Sequence, residues 1–150
     1  MDRIDRKLLN LMQRDASRTN LAMAEAVGLS ASSCLRRVRR LRNTGVIDRI
    51  VAIVNPAKTE VKLKAWVTVE LEQHGEQKMQ QFLRLAAAEE AVAQAYAVTG
   101  HVDVVLLLRL RDMADYDALC DRLFRGRTNV ARFFTMMVIR DAKDETAIPL

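Results

Sequence analysis

Only two cysteines, two prolines and five glycines occur among the 150 residues, and each scarcity closes off a class of protein. Cys34 and Cys120 are too few for a disulfide framework, and no CxxC pair or Cys/His cluster offers a structural zinc site. A reducing compartment suits them. Glycine and proline are too sparse for a fibrous or disordered chain, while 50% hydrophobic and 29% charged residues are values of a folding globular protein. The start, Met1-Asp2-Arg3-Ile4-Asp5, is charged where a secretory signal needs an apolar core, and the apolar runs are too short to span a bilayer. The expectation is a cytoplasmic protein with no membrane partner. Internal repeats, a phosphate-binding loop, a metal-ligand cluster and a compelling nucleophile/base pair are also missing from the sequence, so neither an enzyme nor a resident cofactor is expected.

A chain of this length buries one moderate core or two small ones. Its net charge of +5 is unevenly placed. Residues 1–50 hold eleven Arg/Lys against five Asp/Glu, whereas residues 51–150 hold thirteen against fourteen. The basic excess therefore belongs to the first third, which points to a module that binds a polyanion, with DNA, RNA and acidic lipid all still open.

Within residues 1–15, Ile4, Leu8, Leu11 and Met12 repeat as one helical stripe, with Asp2 placed to cap it and Asp5 three residues on. Asn20 is the expected cap of a second helix over residues 21–27, stopped by Gly28, and Ser30 that of a third over residues 31–44, stopped by Gly45. Three helices with short polar turns outline a helix-turn-helix, its motif at residues 20–39 and its domain at residues 1–50. Strand-like residues then run from Val46 to Val54, read as a connecting strand or wing, and Asn55-Pro56 marks a turn; the connection covers residues 51–61. Beyond it the pattern gives a strand (63–71), a helix (76–88), two strands (92–99 and 103–110), a helix (114–124) and a strand (131–139). That βαββαβ order is the ferredoxin-like arrangement, so the fold class is α+β, with a second domain at residues 62–150. The stretch from residue 140 onward is mostly polar and expected to be extended.

The third helix carries the sharpest chemistry. At 100° per residue, Cys34, Leu35, Val38 and Leu41 fall on one side, while Ser32, Ser33, Arg36 and Arg40 fall on the other, flanked by Arg37 and Arg39. Five arginines lie between residues 36 and 42. In a helix-turn-helix the N-terminal half of this helix approaches base edges in the major groove, which makes Ser32, Ser33 and Arg36 candidate base readers beside the capping Ser30. Arg37, Arg39 and Arg40 suit phosphates, which fix register without reading sequence. The competing reading is a solvated basic face. Cys34 reads as a small core thiol, and Trp66 and Phe82 as core or interface anchors.

The segments Asp2-Arg3-Ile4-Asp5-Arg6, Val27-Gly28-Leu29-Ser30, Cys34-Leu35-Arg36-Arg37-Val38-Arg39-Arg40-Leu41, Gly45-Val46-Ile47, Asn55-Pro56 and Thr99-Gly100-His101-Val102-Asp103 occur together. Jointly they are specific, and the chain resembles the Lrp/AsnC, or feast/famine, family of transcriptional regulators over nearly its whole length. The resemblance implies a winged helix-turn-helix joined to an effector and assembly domain, with dimers whose sheets pack together and further assembly into tetramers or octamers. It also implies an amino-acid effector bound near the turn formed by Gly100, His101, Val102 and Asp103, with Arg125, Met136, Met137 and Val138 as pocket-side positions. The chain departs from the frequent family pattern at Ala31, Ser33, Arg36 and His101.

Read without the resemblance, Gly100 to Val102 equally make a plain hairpin, Arg125, Gly126 and Arg127 a solvated loop, and His74 a turn residue. Met136 and Met137 point to opposite faces of a strand, so at most one faces a given pocket. The expected partners are double-stranded DNA, further copies of the chain and a small effector. The alternative is an architectural protein that wraps DNA with little ligand response.

Overall fold

A computed structural model describes residues 1–126 and 128–150; Arg127 lies outside the described residues. The chain divides into two units, Met1–Ile53 together with Ala142–Leu150, and Val54–Asp141.

Three helices, α1 (Arg3–Arg14), α2 (Asn20–Val27) and α3 (Ala31–Asn43), build the first unit. α1 starts in a reciprocal box: Asp2 Oδ1 accepts from the Asp5 N–H at 2.9 Å, and Asp5 Oδ2 from the Asp2 N–H at 3.0 Å. Two N–H groups that a helix start leaves without internal partners are satisfied at once. α2 is capped by Thr19, whose Oγ1 accepts from the Ala22 N–H at 3.2 Å, rather than by the expected Asn20. Both adjacent residues are competent caps; Asn20 is already helical, and its side-chain amide donates to the Ala31 carbonyl at 2.7 Å, tying the starts of α2 and α3 together. Gly28 closes α2 in the left-handed region at φ 72°, and the Leu29 N–H turns back to the Ala24 carbonyl at 2.9 Å. Ser30 caps α3, with its Oγ accepting from the Ser33 N–H at 3.3 Å.

Leu8, Met23, Ala24, Cys34 and Val38 form the small core of this unit. Leu35, expected among them, is 39% exposed. The reason is angular: Cys34, Val38 and Leu41 already fill a narrow stripe at i, i+4 and i+7, and Leu35 stands about 60° beyond Val38 on the wheel.

Two further expectations change. Residues 46–54 form no strand, and Val51, Ile53 and Val54 are exposed. β-propensity alone does not make a strand, because a ladder needs a neighbour for its N–H and C=O groups, and none of the described residues pairs with this segment as one. The turn after it is present: Asn55 Oδ1 accepts from the Ala57 N–H at 3.0 Å and opens one turn of 3-10 helix, Pro56–Lys58. Residues 142–150, expected in the second domain, group with the helical head. Gln13 holds them through both ends of its amide, with Nε2 donating to the Ile148 carbonyl at 3.0 Å and Oε1 accepting from the Ile148 N–H at 2.8 Å.

The second unit runs β1 (Leu63–Leu71), α4 (Glu76–Ala88), β2 (Val92–Ala97), β3 (Val104–Leu110), α5 (Met113–Leu123) and β4 (Val130–Met137). This is the expected βαββαβ order, folded as one antiparallel sheet in the order β2-β3-β1-β4. Along β1 the period of two is strict. Ala65, Val67 and Val69 are inaccessible to solvent and pack in one cluster with Phe82 of α4 and Leu119 and Leu123 of α5. Their neighbours take the other face, where Trp66 is registered with Leu107 and Met136, and Thr68 with Val105 and Phe134. Phe134 and Met136 there are 56% and 53% exposed. Of the two predicted aromatic anchors, Phe82 is buried under the helices and Trp66 is half-buried at the centre of an open apolar sheet face.

Phe82→Ala is expected to cost about 3–5 kcal/mol, because it removes a 1%-exposed ring from a packed core. Leu85→Ala, on the same helix but 43% exposed, is expected to cost less than about 1 kcal/mol. Urea denaturation of the two variants measures the contrast; equal losses would mean that this cluster is not the core that holds the unit.

Candidate functional site

On α3 the seven predicted residues sort into three roles. Ser30 is spent on the cap, and Ser33 is half-buried with its backbone on that cap. Arg37 turns inward: its Nη1 donates to Asp2 Oδ2 at 2.7 Å and to Asp5 Oδ1 at 2.9 Å, and its side chain is 24% exposed. Arg40 adds a bond from Nη2 to Asp5 Oδ2 at 2.6 Å while remaining more than half exposed. Ser32, Arg36 and Arg39 face solvent, and among the described residues Arg36 and Arg39 have no carboxylate partner.

Asp5 is the hinge of this sorting. Its side chain is 1% exposed, yet both oxygens are filled, Oδ1 by Arg37 and Oδ2 by Arg40 and the Asp2 N–H. Burial pushes its carboxyl up, but the Asp2 N–H and the two guanidiniums outweigh that and hold it below the ordinary value. The N–H of Asp5, followed by the Arg37 guanidinium, lowers Asp2 to about 2. Two residues expected to face phosphate thus lock α3 to the start of α1. The sequence carried a clue: an Asp at position 5 belongs to the stripe side of a helix, where an unpaired charge is not tolerated.

The predicted effector residues do not converge within one chain. Gly100 sits at φ 128° in the turn between β2 and β3, His101 is exposed, and Val102 is half-buried. Asp103 braces the turn: its N–H donates to the Val69 carbonyl at 2.9 Å, and its Oδ2 accepts from the Leu71 N–H at 2.8 Å. His74, read from sequence as a turn residue, places Nδ1 3.6 Å from Asp103 Oδ1. Met137 is registered opposite Ala65, and the Val138 N–H donates to the Lys64 carbonyl at 2.8 Å, so both lie at the far end of β1 from Asp103. Six residue steps along the strand, from Ala65 to Leu71, separate those ends by roughly 20 Å. Met136 points to the open sheet face beside Trp66, and Met137 to the opposite one. Arg125 lies on the outside of α5, bonded to Asp117 at 2.9 Å and Asp121 at 2.8 Å.

Surface hollows of the second unit involve other residues. A cleft of about 300 Å³ lies among Glu72, Lys78, Phe82 and Asn129, and another of about 580 Å³ among Glu89, Arg109, Asp115 and Arg122. Among the described residues no group of His, Cys, Asp and Glu side chains is arranged to hold a metal ion, and no helix is long and apolar enough to cross a membrane.

The AsnC-type helix-turn-helix domain model matches residues 1–42, and the Lrp/AsnC ligand binding domain model matches residues 64–148. The chain belongs to the Lrp/AsnC family of transcriptional regulators. It is 31% identical to the glutamate uptake regulatory protein of Zymomonas mobilis, over all of this chain and 91% of that protein. An AsnC family transcriptional regulator from Agrobacterium tumefaciens superposes with a TM-score of 0.93 at 30% identity, covering 99% of this chain and 97% of that one. A transcriptional regulator from Neisseria meningitidis, solved in complex with L-Met, superposes with a TM-score of 0.92 at 25% identity, covering 99% and 96%. Each of these relatives is named as a regulatory protein, and each match spans 99–100% of this chain.

The Asp5 pairing makes a pH prediction with a definite sign. Because the folded carboxyl lies below its ordinary 3.8, the pairing stabilises fully above that pH and fades as the pH falls through the folded value. Asp5→Asn is expected to melt below wild type at pH 7, with the gap closing as the pH falls below the ordinary value of 3.8. Thermal melts across that range measure it; a gap independent of pH would show that the charge on Asp5 is not what holds the helices.

Proposed function

We propose that this chain is a sequence-specific DNA-binding regulator of transcription whose DNA affinity responds to an amino acid or a related small molecule. The observation that carries the DNA half is the outward face of α3, where Arg36 and Arg39 stand without carboxylate partners among the described residues beside the exposed Ser32, whose hydroxyl is 3.2 Å from that of Ser30, on a helix that Ser30 caps and Arg37 fastens from behind. A helix so presented fits the major groove, Arg36 having the two-pronged donor geometry that guanine accepts, with Arg39 meeting phosphate and Arg40 able to add only the exposed part of its guanidinium left over from Asp5. Arg37 is assigned a positioning role. Ser33 serves the start of the helix more than the bases.

The effector half rests on the ligand-binding-domain match and on the relative solved with L-Met. The turn residues Gly100, His101, Val102 and Asp103 remain the proposed centre. Since Met136, Met137 and Val138 lie at the opposite end of the strands, the site they share with the turn is proposed to need more than one copy of the chain. Two surfaces favour such assembly. One is the open sheet face of Trp66, Leu107, Phe134 and Met136; the other is the exposed apolar segment at residues 46–54, which has the composition of a strand and lacks a neighbour.

Enrichment from a random duplex library tests the DNA reading. A defined site is expected, with Arg36→Ala relaxing base preference and Arg39→Ala reducing affinity on all duplexes and flattening the salt slope by about one. Equal enrichment of all sequences would replace the specific regulator by an architectural DNA binder. A thermal-shift screen of the amino acids tests the effector reading, with Asp103→Ala expected to reduce the shift produced by any ligand found. Phe134→Asp is expected to lower the assembly mass in light scattering, and an unchanged mass would remove the sheet face from the interface.

A further inference from the structure

We infer that Leu35 is a specificity residue that reads the 5-methyl group of a thymine in the major groove. The inference rests on the DNA-binding reading above and adds to it an apolar contact that a helix of serines and arginines does not supply. The core of the head is closed without Leu35, since Cys34, Val38 and Leu41 are each less than one-tenth exposed while Leu35 is 39% exposed. It lines one open hollow along α3 with Ser32, Arg36, Arg39, Arg40 and Asn43, so the leucine belongs to the same surface as the free guanidiniums. Its position in the chain also suits base contact: Leu35 lies in the second turn of α3, three residues after Ser32 and next to Arg36, in the N-terminal half that approaches base edges.

The company of Leu35 selects its partner. An apolar side chain beside the unpaired Arg36 and Arg39 faces a polyanion, and the apolar group that double-stranded DNA displays in its major groove is the thymine methyl. A neutral apolar protein surface laid over the same hollow would bury Arg36 and Arg39 without partners, at a large desolvation cost. Excluding the one methyl carbon from water against the leucine corresponds to about a fourfold gain in affinity, from the usual value per buried carbon.

The test uses the full chain and the duplex it enriches, with each thymine replaced in turn by deoxyuridine, which keeps base pairing and removes the methyl group. At one thymine in each half-site, the substitution is expected to weaken wild-type binding about fourfold. Leu35→Ala is expected to bind the two duplexes equally, and Leu35→Met to restore the preference. Circular dichroism melts confirm that the variants are folded, and light scattering that their assembly is unchanged. The inference is overturned if wild type is indifferent to every methyl group, if Leu35→Ala keeps the preference, or if Leu35→Ala changes the assembly mass, which would make the leucine a contact between copies. Failure to enrich any duplex would overturn the DNA reading itself, and this inference with it.

Discussion

A carboxylate with almost no access to water has to be neutralised where it lies, and the position of Asp5 therefore governs how α3 is presented. Its two oxygens are filled from opposite directions, by the Asp2 N–H of its own helix and by Arg37 and Arg40 of another. Removing either guanidinium leaves a buried charge short of a partner, which costs far more than loss of a solvated surface pair. Directionality follows as well. Hydrophobic contacts among Leu8, Met23 and Cys34 hold three helices together but tolerate sliding, whereas hydrogen bonds of 2.6–2.9 Å to a fixed carboxylate set the rotation of α3 about its own axis. Rotation decides which arginines face outward. A ridge of five cations is thereby divided between residues that fasten the helix and residues left to meet a partner.

The second unit is governed by a different constraint, the strict alternation of β1. Ala65, Val67 and Val69 commit one face of the sheet to α4 and α5, which leaves Trp66 and Thr68 no choice but the other. Antiparallel register then gathers Leu107, Phe134 and Met136 around Trp66 and makes that face apolar without a single long hydrophobic run in the sequence. A one-residue slip of β4 would exchange Phe134 for Phe133, which stacks on Phe124 at 4.6 Å, and both the core and the open face would be lost together.

Elements whose signal is local were legible in the sequence. The Asp2 and Ser30 caps, the Gly28 stop and the βαββαβ order each depend on residues within a turn or two of one another, and the boundaries of β1 and α4 coincide with those read from pattern. Features that depend on distant partners were not. Whether residues 46–54 become a strand depends on a neighbour that their own propensity does not encode. Arg37 looks like any other arginine of the ridge until the buried Asp5 is brought beside it, 32 positions away in the chain. Thr19 and Asn20 were indistinguishable as caps because the decision lies with the Ala31 carbonyl, which claims the Asn20 amide. Leu35 was legible in principle, since a stripe at i, i+4 and i+7 was already complete without it.

The same distinction bears on the proposed effector site. Asp103 has its carboxylate engaged by the Leu71 N–H, so a ligand ammonium reaching it either shares that oxygen or uses the one facing His74. Release of Oδ2 would free the end of β1, where the bulge between Glu70 and Leu71 already interrupts the pairing with β4. A ligand drawn to this turn therefore acts on the strand that carries Trp66 at the centre of the open face. Effector binding changes an assembly only through unequal affinity for its states. If the open sheet face is where copies of the chain meet, as proposed above, a turn hydrogen-bonded directly to β1 would supply such an inequality by a short path, since Asp103 holds Leu71 on the strand that carries Trp66.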